Sequence, residues 1–164
     1  QVLELPDVSK LASARGSIAA KTLQGIVLDD GHAKLTGNWS RSTNFKPYIE
    51  DGYVFSGEKD SKTQGDGKAT ATFRFKVPKS GRYQLLMAYS AHQSRAKNVP
   101  VTVSCGGSRK TFVVDQTRPL PSGRVFRSVG TVDLRADVET VIQVTNADTN
   151  GFVILDALRL LPVK

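Results

Sequence analysis

Between Ala69 and Val77 the chain reads Ala-Thr-Ala-Thr-Phe-Arg-Phe-Lys-Val. Apolar side chains take alternate positions, Ala69, Ala71, Phe73, Phe75 and Val77, and Thr70, Thr72, Arg74 and Lys76 take the rest. On a helix those five apolar groups would scatter around the axis; on a strand they share one face. The segment is therefore expected to be a half-buried antiparallel strand, apolar toward a core and polar toward water. Pro78-Lys79-Ser80-Gly81 turns the chain, and Arg82–Ser90 continues with Tyr83, Leu85, Met87 and Tyr89 in phase.

The same period recurs downstream. Val99, Val101 and Val103 alternate, and Cys105-Gly106-Gly107-Ser108 reads as a hairpin connection to Lys110–Asp115. Pro100 has no N–H to give, so its strand is expected at an edge or where no ladder bond is needed. Arg124–Leu134, Glu139–Thr145 and Gly151–Leu160 supply three more strands, and Ile26-Val27-Leu28 precedes a turn at Asp29-Asp30-Gly31. Eight to ten short strands with no helix between them exclude alternating βαβ units. They predict an all-β, antiparallel β-sandwich of jelly-roll type, and the irregular spacing excludes a propeller or solenoid.

Before Gly25 the composition shifts to Ala, Ser and Lys. Asp7 could cap a short helix carrying Val8, Leu11 and Ala12, and a second could run from Ser17 to Leu23. Residues 1–24 are read as a linker or the tail of an upstream domain, and residues 25–164 as the sandwich. Asn44–Gly67 has no firm period and holds Phe45, Tyr48, Tyr53 and Phe55, a long loop of the kind that carries binding on a rigid scaffold.

Composition narrows the chemistry. The 164 residues include one cysteine, Cys105, and two histidines, His32 and His92, which excludes an internal disulfide and a cysteine zinc cluster. No GxSxG, GxxxxGK[ST] or GxGxxG motif occurs, and no pair of acids marks a hydrolytic site, so no catalytic residue is assigned. No apolar run approaches the roughly 20 residues that span a bilayer. Gln1 opens the sequence without a signal-peptide pattern, and the chain is read as a piece of a longer precursor.

The net charge of +8 favours anionic partners: nucleic acid, an acidic glycan or a membrane surface. Arg74, Lys76 and Arg82 lie beside Phe73, Phe75 and Tyr83, but those aromatics fall on the apolar phase, so they read as core and nucleic acid is set aside. Two constellations remain. Asp29 and Asp30 close the first strand of the sandwich, and Asp156 interrupts the apolar run Phe152–Leu158. A carboxylate there needs a partner. If first and last strands are neighbours, the three acids could hold a structural calcium; otherwise Asp156 pairs with backbone or with Arg159.

The second constellation is Tyr89, His92, Arg95 and Asn98, three residues apart across a strand connection. An aromatic face, an imidazole, a guanidinium and an amide suit a sugar, and the guanidinium suits a carboxylate on it. Trp39, Tyr48 and Tyr53 are the candidate stacking residues. The competing reading makes the same groups framework for a corner.

The order Gly25-Ile-Val-Leu-Asp-Asp, Ala33-Lys-Leu-Thr-Gly-Asn-Trp39, Tyr89-Ser-Ala-His-Gln-Ser-Arg-Ala-Lys-Asn-Val-Pro-Val101, Val114-Asp-Gln116 and Ile154-Leu-Asp-Ala-Leu-Arg159 resembles the golvesin / xanthan-lyase carbohydrate-binding-like domain. The resemblance covers about Gly25–Pro162 and is carried mainly by the Tyr-x-x-His-x-x-Arg-x-x-Asn-Val-Pro-Val stretch. It implies a non-catalytic β-sandwich module of secreted or cell-envelope bacterial proteins, among them polysaccharide lyases and some FAD-dependent oxidoreductases. The expected partners are an anionic polysaccharide and a parent catalytic domain. The alternative is a structural module that packs on its parent enzyme and binds no ligand.

Overall fold

The computed structural model describes residues 7–57, 62–121 and 124–164. In chain order the strands are β1 (Ser17–Ile18), β2 (Ile26–Asp29), β3 (Lys34–Thr36), β4 (Ser40–Ser42), β5 (Tyr48–Ile49), β6 (Tyr53–Ser56) and β7 (Thr70–Phe75). They continue as β8 (Gly81–Ala88), β9 (Val99–Cys105), β10 (Ser108–Val114), β11 (Phe126–Leu134), β12 (Thr140–Thr145), β13 (Val153–Leu155) and β14 (Ala157–Pro162). The helical elements among the described residues are three-residue 3-10 turns at Ser9–Leu11, Ala20–Thr22 and Asp30–His32.

A five-stranded sheet, β10-β9-β12-β7-β3, faces a four-stranded sheet, β11-β8-β14-β2, and all pairs within both are antiparallel. The alternation dictates this packing. Phe73, Val101, Val103, Ile142 and Val144 of the larger sheet meet Leu85, Met87, Leu158 and Leu160 of the smaller in one core. β9 lies between β10 and β12, so the edge placement suggested by Pro100 is wrong; the last β12 pair on that side is Val144 with Val101, one residue short of the proline.

A second core lies on the outer face of the four-stranded sheet. Leu86, Ala88, Phe126 and Ala157 point away from the first core and are covered by Val8, Ile18, Leu23 and Ile49. Residues 7–24, expected as linker or tail, thus pack on the sandwich as a strap, and β1 pairs in parallel with β5. The sequence signal was the unbroken run Leu85-Leu86-Met87-Ala88, which is apolar on both faces of its strand. Residues 1–6 of the expected linker lie outside the described residues.

The apolar run Phe152–Leu160 does not form one strand. It breaks at Asp156: β13 pairs with β6, while β14 inserts between β8 and β2. β13, β6 and β4 make a third, three-stranded sheet at one end of the sandwich. β5 and β6 therefore lie within the stretch 44–67 expected to be a loop, whose residues 58–61 are outside the described set.

Candidate functional site

The break at Asp156 places its carboxylate inside the protein, 3 % exposed. Both oxygens accept from the Ile49 N–H at 3.1 Å. The Asp30 N–H donates to the Asp156 carbonyl at 2.9 Å, which draws the end of β2 against the same point. Asp29, Asp30 and Asp156, all buried, each present an oxygen within 4.8 Å of the other two. The expected proximity of first and last strands is met by the β14–β2 pairing.

The cluster is short of positive charge and of donors. Asp30 Oδ2 pairs with Arg41 Nη2 at 2.7 Å, and Asp29 Oδ2 accepts from the Gly31 N–H at 3.0 Å. The other oxygens, Asp29 Oδ1 and Asp30 Oδ1, are buried and have no amide or cationic donor among the described residues; the two carboxyls lie within hydrogen-bond reach of each other, so a proton on Asp30 can be shared with Asp29. Burial, then the Asp29 carboxylate, push Asp30 up to about 7, against the pull of Arg41. Burial also raises Asp29, and it holds Asp156 well above the ordinary carboxylate range. Arg159 is not the partner of Asp156; its Nε donates to the Gln24 carbonyl at 2.8 Å and its guanidinium lies over Phe126. Buried oxygens without a donor on Asp29 and Asp30, converging on the Asp156 carboxylate, fit a hard divalent cation, which binds through oxygen.

Arg41 connects this cluster to a groove at the same end of the molecule. A depression of about 310 Å³ is lined by Arg41, Phe45, Tyr53, Phe55, Arg95 and Phe152, among others. Arg95 is its most distinctive group. Its Nε donates to the Ser90 carbonyl at 3.1 Å, Nη1 to Ser94 Oγ at 3.2 Å and Nη2 to Ser90 Oγ at 3.3 Å. The guanidinium lies 5.0 Å from the Phe45 ring centroid and 6.0 Å from that of Phe152. Among the described residues no carboxylate pairs with it, and desolvation lowers its pKa. Three bonds from a group with five N–H donors leave two unspent.

The other candidates divide. His92 is exposed at the rim, its Nδ1 2.7 Å from Ser94 Oγ and its ring 6.0 Å from Phe45. Asn98 is framework: Nδ2 donates to the Asp148 carbonyl at 2.8 Å and Oδ1 accepts from the Asn150 N–H. Trp39 is half-buried, donating through Nε1 to the carbonyls of Thr36 and Thr70, and lines a neighbouring depression of about 510 Å³.

The tyrosines are not stacking platforms. Tyr48, Tyr53 and Tyr89 are 6 %, 3 % and 3 % exposed. Tyr48 donates to the Arg15 carbonyl, and the Tyr89 hydroxyl accepts from Arg127 Nε at 2.7 Å. Tyr53 lines the Arg95 depression, its hydroxyl donating to Ser42 Oγ and accepting from the Phe45 N–H, and Tyr89 lines a second depression beside Phe45. Each tyrosine ring fills core volume while its hydroxyl ties a loop, the usual arrangement for a buried phenol. The rings that line the Arg95 depression are the exposed Phe45 and the half-buried Phe55 and Phe152. Phe45 and Phe55 stood in the aromatic loop of the sequence; Phe152 was hidden in an apolar run that read as core.

The chain is 24 % identical over 147 residues to the xanthan lyase of Bacillus sp. strain GL1, covering 86 % of this chain and 15 % of that protein. The solved Paenibacillus xanthan lyase superposes with a TM-score of 0.71 at 30 % identity, over 84 % of this chain and 13 % of that one. A CBM35 module, Xyl-CBM35, solved in complex with a glucuronic acid containing disaccharide, has a TM-score of 0.54 at 17 % identity, over 85 % of this chain and 94 % of its own. The chain thus spans a small part of the lyases and nearly the whole of an isolated module. The family model of the Golvesin C-terminal domain matches residues 26–162, and the chain belongs to that family.

Proposed function

We propose that this chain is a non-catalytic accessory module that binds an anionic polysaccharide on behalf of a larger protein, secreted or held in the cell envelope. The observation that carries the reading is Arg95: a half-buried guanidinium, flanked by phenyl rings, with two unspent donors and no counter-ion among the described residues. A sugar carboxylate supplies the missing charge in a planar, bidentate form, and the apolar C–H faces of the ring suit Phe45 and Phe55. Support comes also from the net charge of +8 and from the relatives, where the aligned part is a fraction of a polysaccharide lyase or a module holding a uronic acid.

In this reading Arg95 binds the carboxylate, His92 and the Tyr53 hydroxyl line the approach, and Trp39 flanks the neighbouring depression. Asn98, Tyr48 and Tyr89 hold the loops. Asp29, Asp30 and Asp156 hold a structural calcium, whose two charges, together with that of Arg41, balance three buried carboxylates and fix the ends of β2 and β14. Calorimetric titration with xanthan, polygalacturonate, alginate and a neutral glucan, at two salt concentrations, with calcium and with chelator, tests it. The acidic polymers should bind, more weakly at high salt, and the glucan should not. Arg95→Gln should weaken binding about 10- to 100-fold, the loss expected for a charge-assisted pair. Binding of no polymer would leave the chain as a packing module for its parent enzyme.

A further inference from the structure

The groove at Arg95 does not stand alone. Phe55 lies on β6 opposite Ser40 of β4 and Ile154 of β13, at the middle of the three-stranded sheet. It lines both the Arg95 depression and the depression of about 510 Å³ beside Trp39, Asn38 and Ser40. On the other side Phe45, 42 % exposed, lines both the Arg95 depression and a third, of about 310 Å³, beside Lys46, Ala91, Leu120 and Arg124. Two phenyl rings therefore stand as shared walls between three successive hollows, with the unpaired guanidinium in the central one.

None of the three hollows is enclosed, and each is near the lower end or middle of the roughly 300–1,000 Å³ typical of small-ligand sites. Their polar lining differs. The Trp39 hollow offers an amide, a hydroxyl and an indole; the central one a guanidinium; the third Lys46 and Arg124 with apolar Leu120 and Pro121. A compact monosaccharide would fill one hollow. A chain of linked rings would lay its apolar faces across Phe55 and Phe45 and place successive residues in all three.

We propose that these hollows form one continuous groove of three subsites that grips an internal stretch of a polysaccharide, with a carboxylate-bearing residue in the central subsite and further acidic residues favoured toward Lys46 and Arg124. This rests on the glycan-binding reading and deepens it: the ligand is the chain interior, not a chain end or a free sugar.

The test uses whichever acidic polymer binds, cut into oligosaccharides of one to six residues and titrated calorimetrically. Affinity should rise by about tenfold or more between the monosaccharide and the trisaccharide, which fills all three subsites, then level off. Borohydride reduction of the terminal residue of the hexasaccharide should leave its affinity unchanged. Ser40→Trp and Ala91→Trp, which fill the two outer hollows, should each weaken the hexasaccharide about fivefold or more without changing the monosaccharide, which needs only the central hollow, with thermal melts confirming the fold. Equal affinity for monosaccharide and hexasaccharide, loss of binding on terminal reduction, or no effect of either tryptophan variant overturns the proposal while leaving glycan binding intact. Absence of binding to every polymer removes the functional reading on which it stands.

Discussion

Asp30 is where protonation should register in stability. Its carboxyl moves from an ordinary value of 3.8 to about 7 in the fold, chiefly because it is buried and secondarily because Asp29 lies beside it. A carboxyl whose folded value lies above its unfolded value holds its proton more tightly in the native state. Its contribution is therefore fully present at low pH, is lost as the pH rises from 3.8 to about 7, and levels off above that. At 1.36 kcal/mol for each pH unit between the two values, this carboxyl alone should cost about 2 kcal/mol between pH 5.5 and 8. For a chain of this size that is a fall in Tm of roughly 4–8 °C. Asp29 and Asp156, both raised by burial, push in the same direction. The assay is thermal unfolding in chelator at pH 5.5, 6.5, 7.5 and 8, for the natural chain and for Asp30→Asn, which keeps the shape and removes the charge. The natural chain should lose stability across that range, and the variant should lose less and exceed it at pH 8. Millimolar calcium should raise the Tm of the natural chain more at pH 8 than at pH 5.5. Parallel curves for the two proteins, or a Tm in chelator that holds level up to pH 8, would refute the reasoning.

Other perturbations follow from the packing. Gln116 is wholly buried and pairs with both backbone groups of Ile154 at 2.8 Å, standing in for a missing strand beside β13; Gln116→Ala should cost about 2–4 kcal/mol in denaturant unfolding and loosen the three-stranded sheet. Phe73→Ala, at 1 % exposure in the centre of the sandwich, should cost about 3–5 kcal/mol by the same measurement. Removing residues 1–24 uncovers Leu86, Ala88, Phe126 and Ala157 and should lower the Tm and raise binding of a hydrophobic dye; an unchanged Tm would show that the strap contributes nothing. Gly25→Ala places a methyl group against the Leu160 carbonyl at a φ of +85° and should destabilise by more than 1 kcal/mol in urea melts.

The sandwich was legible because its signal is local and redundant. Alternation in Ala69–Val77 and Val99–Val103 shows period and face at once, and Asp156 in an apolar run announces a buried partner wherever the chain goes. What alternation does not contain is which elements share a surface. The strap could not be placed from Val8, Ile18 and Leu23, because three apolar residues in a small-residue stretch do not say what they cover. The tyrosines misled for a related reason: an amphipathic ring suits both a ligand platform and a core position with a tethered hydroxyl, and tertiary packing chose the second. Arg95 was singled out from spacing, but the lack of a counter-ion for it among the described residues is a property of everything around it.

The strap also settles how the two broad surfaces of the sandwich divide their roles. One is already roofed by the polypeptide's own leading stretch, so a neighbouring molecule cannot lie flat on β8 and β14 without first peeling that stretch away. The opposite surface stays open and offers Thr72, Gln143, Thr102 and Thr111 in a level, uncrowded row.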